Sequence, residues 1–264
     1  MPVVNAVARM TLRQGRRGAV GWLAGFAGLT LLYMSSYNSV AQAKSAAIND
    51  YPESLKKALN LQDFTSPVGY LNSTAFGIPL LLLTTVLVIT MATRALAADE
   101  ESGAIELILS YPLSRANLVL GRMVAMVSML IGVAVVLTTV TLVAAHPGGL
   151  SIGAADVIAA TITWLLFACC LGSLALLASA AFGRRSTTTA VAGGAAVFAY
   201  LAASFLPLVD GLGWIRHLSP YNWFIAGNPL GHGLNAGYVA LLLGTTVVAT
   251  YLAALVLDRR DINT

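Results

Sequence analysis

Lysine is nearly missing from this chain: its three copies, Lys44, Lys56 and Lys57, all fall within residues 44–57. A phosphate-cradling loop needs a Gly-rich turn that ends in Gly-Lys-Ser or Gly-Lys-Thr, so this polypeptide carries no P-loop ATPase of its own. Histidine is equally scarce. His146, His217 and His232 stand far apart with no His-Glu-x-x-His cluster and no companion at ligand spacing, so each reads as a surface or turn residue rather than a metal ligand. Cys169 and Cys170 are neighbours in an apolar run; they read as small packing residues and say nothing about redox compartment. Charge is the widest shortage. Only 10% of the 264 residues are charged while 58% are hydrophobic, more apolar surface than a soluble core could bury, and the class this implies is a polytopic membrane protein. The net charge of +4 is too small and too dispersed to suggest a nucleic-acid partner.

What is present are six apolar runs, and they predict an all-α polytopic membrane protein forming a single transmembrane domain over residues 1–264. Spans are expected at about 18–40, 74–98, 123–145, 153–182, 189–209 and 237–257. Before the first of them, Asn5, Arg9, Arg13, Arg16 and Arg17 recur at three- and four-residue spacings along one side, while Val3, Val7, Met10 and Leu12 lie elsewhere. This pattern predicts an amphipathic interface helix over 3–17, lying in the headgroup plane, although a solvated basic tail would satisfy the same positive-inside bias. Arg16 and Arg17, the apolar run and Ala41-Gln42-Ala43 also echo a secretory signal, but the run is longer than a usual signal core. Residues 41–73 read as a polar loop in which Pro52, Glu53, Leu55, Ala58 and Leu59 suggest one short amphipathic helix. His146-Pro147-Gly148-Gly149 marks a tight turn. Residues 210–236, with Trp214, Tyr221 and Trp223 between turn signals, are too broken for a span and too aromatic for a free loop; an outer re-entrant segment of short helices is expected there.

Basic residues set the orientation. With the N-terminus inside, Arg9, Arg13, Arg16, Arg17, Arg94, Arg115, Arg122, Arg184, Arg185, Arg259 and Arg260 all lie at the inner face, and only Lys44, Lys56, Lys57 and Arg216 lie outside. That bias predicts two cytoplasmic termini and places residues 99–122 on the inner side of a plasma (inner) membrane. This stretch, DEESGAIELILSYPLSRANLVLGR, is the one long polar interruption between spans on that face. Asp99, Glu100 and Glu101 suit a helix start, Ile105, Leu107, Ile108 and Leu109 give it an apolar body, and Pro112 ends it. Ser114 suits the cap of the next helix, so an elbow between two spans is expected.

The elbow resembles the first long cytoplasmic loop of the membrane permease subunits of type-2 ABC transporters, most of which are exporters. That loop typically reads Glu-Glu-x-Gly-Thr-Leu-Glu-Leu-Leu-Leu-Ser-x-Pro-x-Ser-Arg. This chain has Glu100, Glu101, Gly103, Glu106, Leu107, Leu109, Ser110, Pro112, Ser114 and Arg115 in register, and departs mildly at Ala104, Ile105 and Ile108. A second stretch, Leu218-Ser219-Pro220-Tyr221 through Asn228-Pro229-Leu230 to Gly233, is similar to the segment that precedes the family's last span. The resemblance implies a coupling helix on which a separate ATPase docks, with Glu100, Glu101, Glu106 and Arg115 making polar contacts and Ile105, Leu107 and Leu109 filling its groove. It further implies two ATPase subunits holding ATP and Mg, no cofactor in this chain, and a second permease subunit, identical or homologous. Transport of a hydrophobic or amphipathic compound, a drug or lipid-like molecule, is the activity implied.

Two sets of span residues complete the expectation. Gly18, Gly21, Gly25 and Gly28 stack on one face of span one and would let another helix, in this subunit or its partner, approach closely. Tyr33, Ser35, Ser36, Tyr37 and Asn38, with Thr138, Thr139 and Thr141, could line a pathway, although such residues more often bond their own backbone or a neighbouring helix. No span carries an ionisable residue near its middle and no internal repeat is visible, which argues against an ion-coupled secondary carrier. A non-transporting scaffold or sensor subunit of an ATPase complex would keep the elbow without needing a pathway.

Overall fold

The computed structural model describes residues 2–43, 66–105, 113–145, 152–208 and 211–260. The described residues are helical, with no strand among them. In chain order the α-helices are α1 (Pro2–Ala43), α2 (Pro67–Ser73), α3 (Ile78–Ala95), α4 (Ala97–Glu101), α5 (Arg115–Ala145), α6 (Ala154–Phe182), α7 (Arg185–Ser204), α8 (Pro220–Ile225), α9 (Pro229–His232) and α10 (Ala236–Arg259). Short 3₁₀ turns occupy Leu206–Leu208 and Gly213–Leu218. Six stretches are long and apolar enough to cross a bilayer: Val4–Tyr37, Pro67–Ala95, Arg115–Ala145, Ala154–Phe182, Arg185–Ser204 and Ala236–Arg259.

Several boundaries depart from the sequence-based expectation, each for a local reason. No helix end separates 3–17 from 18–40; one helix runs from Pro2 to Ala43. Residues 14–18, Gln-Gly-Arg-Arg-Gly, contain no proline to stop it, and Gly15 and Gly18 remain helical rather than capping. The second span is interrupted near both ends. Ser66 caps α2 by accepting a hydrogen bond from the Gly69 N–H at 3.0 Å, Pro67 occupies the first helical position, and the chain turns at 74–77 before α3 begins. At the other end, Leu96 breaks α3 from α4. Span three begins at Arg115 rather than 123, because Ser114 Oγ accepts from the Asn117 N–H at 3.2 Å and nothing downstream stops the helix. Span five begins at Arg185 and closes at Ser204. The loop positions Lys44, Pro52, Lys56 and Lys57, the turn at His146–Gly149, and Asp210 lie outside the described residues.

α6 is the central helix, packing against α3, α5, α7, α8, α9 and α10. Its apolar side chains and those of α1 and α3 build the core around Trp164, which is fully buried, donates Nε1–H to Thr84 Oγ1 at 2.9 Å and stacks edge-on against Phe26 at 5.8 Å. α8 brings five consecutive buried residues, Pro220 to Phe224, against the bundle. The Tyr221 hydroxyl meets Thr85 Oγ1 at 2.7 Å, seven residues and so about 10 Å along α3 from its start. The aromatic segment therefore penetrates between the spans.

α1 and α5 run parallel, with Val7 beside Gly121 and Leu23 beside Gly132. Their approach is closest at Gly121, where a Cβ would lie 2.6 Å from Val7 Cβ and 3.1 Å from the Val4 carbonyl oxygen. Gly121→Ala is therefore expected to destabilise the protein by about 1–3 kcal/mol through overpacking. Gly132→Ala, whose Cβ would meet only Leu23 Cδ2 at 3.8 Å, should be neutral or stabilising. Thermal unfolding of both variants in detergent checks the contrast.

Candidate functional site: the charged end of the bundle

Five residues, Ala-Ala-Asp-Glu-Glu, make α4. Successive residues on a helix point about 100° apart, so Asp99, Glu100 and Glu101 fan out in three directions. Each meets a different arginine. Asp99 Oδ2 accepts from Arg122 Nη2 of α5, and Glu100 Oε1 accepts from Arg260 Nη2 at the end of α10. Glu101 takes the start of α7, accepting from the Arg185 backbone N–H at 2.8 Å and pairing with Arg185 Nε at 3.2 Å. The α4 backbone joins in: the Ala97 N–H donates to Ser179 Oγ of α6 at 3.1 Å. Arg122 Nη1 also donates to Thr11 Oγ1 of α1 at 2.9 Å, and Arg260 Nη1 to the Ala180 carbonyl of α6 at 2.8 Å. One short helix, separated from α3 only by Leu96, thus holds polar contact with α5, α6, α7 and α10, and Arg122 extends the network to α1.

The three ion pairs are not equal. The Arg122 side chain is 3% exposed and Asp99 22%, whereas Arg185 and Glu101 are 56% and 38% exposed. Burial pushes the Asp99 carboxyl above its ordinary range, and the neighbouring guanidiniums of Arg122 and Arg185 pull it back only partly. The Glu100–Arg260 pair lies over Gly183, which ends α6 in the left-handed conformation at φ 62°. A Cβ there would collide with both members of the pair, so glycine is required twice over. Arg115 closes the arrangement: Nη1 donates to the Leu257 and Arg260 carbonyls at 2.7 Å each, where the end of α10 has acceptors left over and favours positive charge.

Several residues expected to face a partner are thereby engaged within the chain. Glu100, Glu101 and Arg115 carry the intramolecular partners just described. Ile105 is 1% exposed and belongs to the core, so it is unavailable to fill a groove on another protein. The carboxylates and Ile105 do not share one unbroken helix, because the chain reverses at Gly103, φ 70°. Ser114 caps α5, and Glu106, Leu107, Leu109, Ser110 and Pro112 lie outside the described residues.

Gly18, Gly21, Gly25 and Gly28 are all exposed, and at the last three nothing in the chain lies within 4 Å of where a Cβ would stand. They pack no helix of this subunit. Among the pathway candidates, the Tyr33 carbonyl accepts from Tyr70 at 2.9 Å, Tyr37 stacks on Tyr70, and Ser35 and Ser36 bond back to the Leu32 carbonyl. Thr138 is half-buried, while Thr141 is fully buried and faces no open space within the chain. The side chain of Asn38 lies outside the described ones. Sequence reasoning missed Asp99, Arg122, Arg185 and Arg260 as an interlocked group. The visible signal was that all four stand at span edges on one face.

Residues 5–262 match a family described as ABC-2 family transporter protein. The chain belongs to that family, and its six span-length helices make it a multi-pass membrane permease subunit. Comparison with curated proteins gave no match.

Removing Arg122 leaves a carboxylate unpaired in a largely buried setting, so Arg122→Ala should cost about 3–5 kcal/mol of stability. Glu101→Gln, at the exposed pair, should cost less than about 1 kcal/mol. Chemical denaturation of the two variants in detergent measures the difference.

Proposed function

We propose that this permease forms half of a substrate pathway and couples ATP hydrolysis on a separate ATPase to export of a hydrophobic or amphipathic compound. The observation that carries the reading is the fan of three carboxylates. The resemblance puts the docking surface on Glu100, Glu101, Ile105, Glu106, Leu107, Leu109 and Arg115, a set that begins in α4. α4 is joined by charge and hydrogen bonds to α5, α6, α7 and α10, and through Arg122 to Thr11 of α1. A displacement of the elbow would reach all the spans together, because buried polar contacts and packed helices move as units rather than stretch. Two ATPases holding ATP and Mg would supply the displacement. Six spans make half of a dimeric pathway, so a second permease subunit, identical or homologous, completes it. The arginine bias supports a plasma (inner) membrane setting with both termini and the charged end cytoplasmic.

In this account Glu106 meets the ATPase while Glu100 and Arg260 carry motion onward, and the two roles separate experimentally. In a reconstituted complex, Glu106→Lys should weaken ATPase co-purification about tenfold, the effect of about 1.4 kcal/mol of lost contact, and a compensating reversal on the ATPase should restore it. Arg260→Gln should leave the ATPase bound and uncouple its turnover from transport. A permease that transports without any ATPase, or a complex indifferent to both substitutions, contradicts the reading. An assembled complex whose ATPase never responds to any substrate would instead favour a scaffold or sensor.

A further inference from the structure

α1 packs chiefly on α5 and touches α3 little, which leaves a cleft between α1 and α3. At the charged end the cleft widens into a cavity of about 350 Å³, lined among others by Thr11, Gln14, Trp22, Met91, Arg94 and Arg122. Further along the same two helices it continues as an apolar groove, lined by Gly25, Gly28, Leu29, Leu32, Pro79 and Leu83. The glycines of α1 form its floor. From Gly18, beside Arg94, to Gly28 is ten residues of helix, about 15 Å, which is half of a bilayer's ~30 Å hydrocarbon thickness. The cleft therefore has the length and polarity profile of one lipid in one leaflet.

Two guanidiniums in the cavity have donors to spare, Arg94 all of its own and Arg122 one. Arg94 is exposed and makes no ion pair or hydrogen bond among the described residues. Arg122 is 3% exposed and lines the cavity; its two Nη atoms are engaged by Thr11 and Asp99, but its Nε has no partner. An unsatisfied buried guanidinium nitrogen is costly, and an anionic oxygen is the group that relieves it. Arg94, Arg122 and Arg185 all line the cavity with Asp99 as the one carboxylate there, and Glu101 outside it pairs with Arg185. Three guanidiniums thus stand against two carboxylates, so one positive charge is left over.

We propose that the α1–α3 cleft binds one anionic phospholipid of the surrounding bilayer, with its phosphate between Arg94 and Arg122 and one acyl chain along Gly21, Gly25 and Gly28. Arginine suits the phosphate through paired N–H donors, and Trp22 lies where an interfacial aromatic sits against a headgroup. The site requires only that the chain be embedded in a bilayer, and it does not depend on ATPase coupling.

The test is thermal unfolding of the full chain, purified in neutral detergent with whatever subunits accompany it, during titration with phosphatidylglycerol. A ligand that binds the folded state raises the unfolding temperature saturably. Phosphatidylcholine, whose choline cation offsets its phosphate against the surplus positive charge of the cavity, should need about tenfold more lipid for the same rise, about 1.4 kcal/mol, and inorganic phosphate alone should give none. Arg94→Gln should erase the preference and Arg94→Lys keep it, both at an exposed position whose loss leaves no partner stranded. Gly25→Leu should weaken the response to both lipids while subunit composition stays unchanged. Equal responses to the two lipids, or a preference that survives Arg94→Gln, overturns the proposal. A response to inorganic phosphate matching the lipid's would make the cavity a simple anion site and overturn it as well. Gly25→Leu that dissociates subunits while the lipid response persists would assign the cleft to a second copy of the chain.

Discussion

Three adjacent carboxylates on a helix of five residues, at the edge of an apolar bundle, constrain everything around them. Helix geometry points them in three directions, so each meets a cation from a different side, Asp99 and Glu100 largely out of water and Glu101 at the surface. The chain supplies those cations from the start of α5, the start of α7 and the end of α10. The ends of these helices are consequently fixed relative to α4, and through Ser179 and Thr11 so are α6 and α1. Gly183 and Gly121 are the small residues that let this happen. One leaves room for the Glu100–Arg260 pair and the other lets α1 reach α5.

The opposite end of the bundle is organised by different physics. There the aromatic segment contributes rings and hydroxyls: Tyr221 between Thr85 and Phe167, Trp223 donating to the His217 carbonyl, and Asn228 in a left-handed turn accepting from Asn72. These contacts join span edges without charge. The bundle is thus held by ion pairs at one end and by packing at the other. Under the proposed coupling, an ATPase would act at the ionic end, where α4 lies.

The sequence made the spans legible because long apolar runs and edge arginines are local signals. Ser114 was legible as a cap for the same reason. What could not be read was long-range or lay in the competition between weak signals. Glu100 and Arg260 are 160 positions apart, and nothing in either neighbourhood announces the other. The basic repeat over residues 9–17 suggested a separate in-plane helix, yet with no proline after it the helical ladder continues through Gly18 and Gly21. Ser66-Pro67 is a helix-start signal inside a stretch that otherwise reads as polar loop, and the loop composition hid it. Ile105 was expected to face a partner because the family resemblance puts it on a coupling helix, but after the turn at Gly103 it is buried in the core. The glycine stripe was legible as a small-residue face and illegible as to what covers it.

The central claim is that α4 is bound to the rest of the bundle by coupled charge pairs, not merely lying beside it. A double-mutant cycle on Glu100 and Arg260, using Glu100→Gln, Arg260→Gln and the double variant, measures that coupling directly through unfolding free energies. The account predicts an interaction energy of at least about 1 kcal/mol, with the double variant costing clearly less than the two single variants combined. Strict additivity of the two substitutions would show that the pair contributes no mutual stabilisation, and would contradict the account.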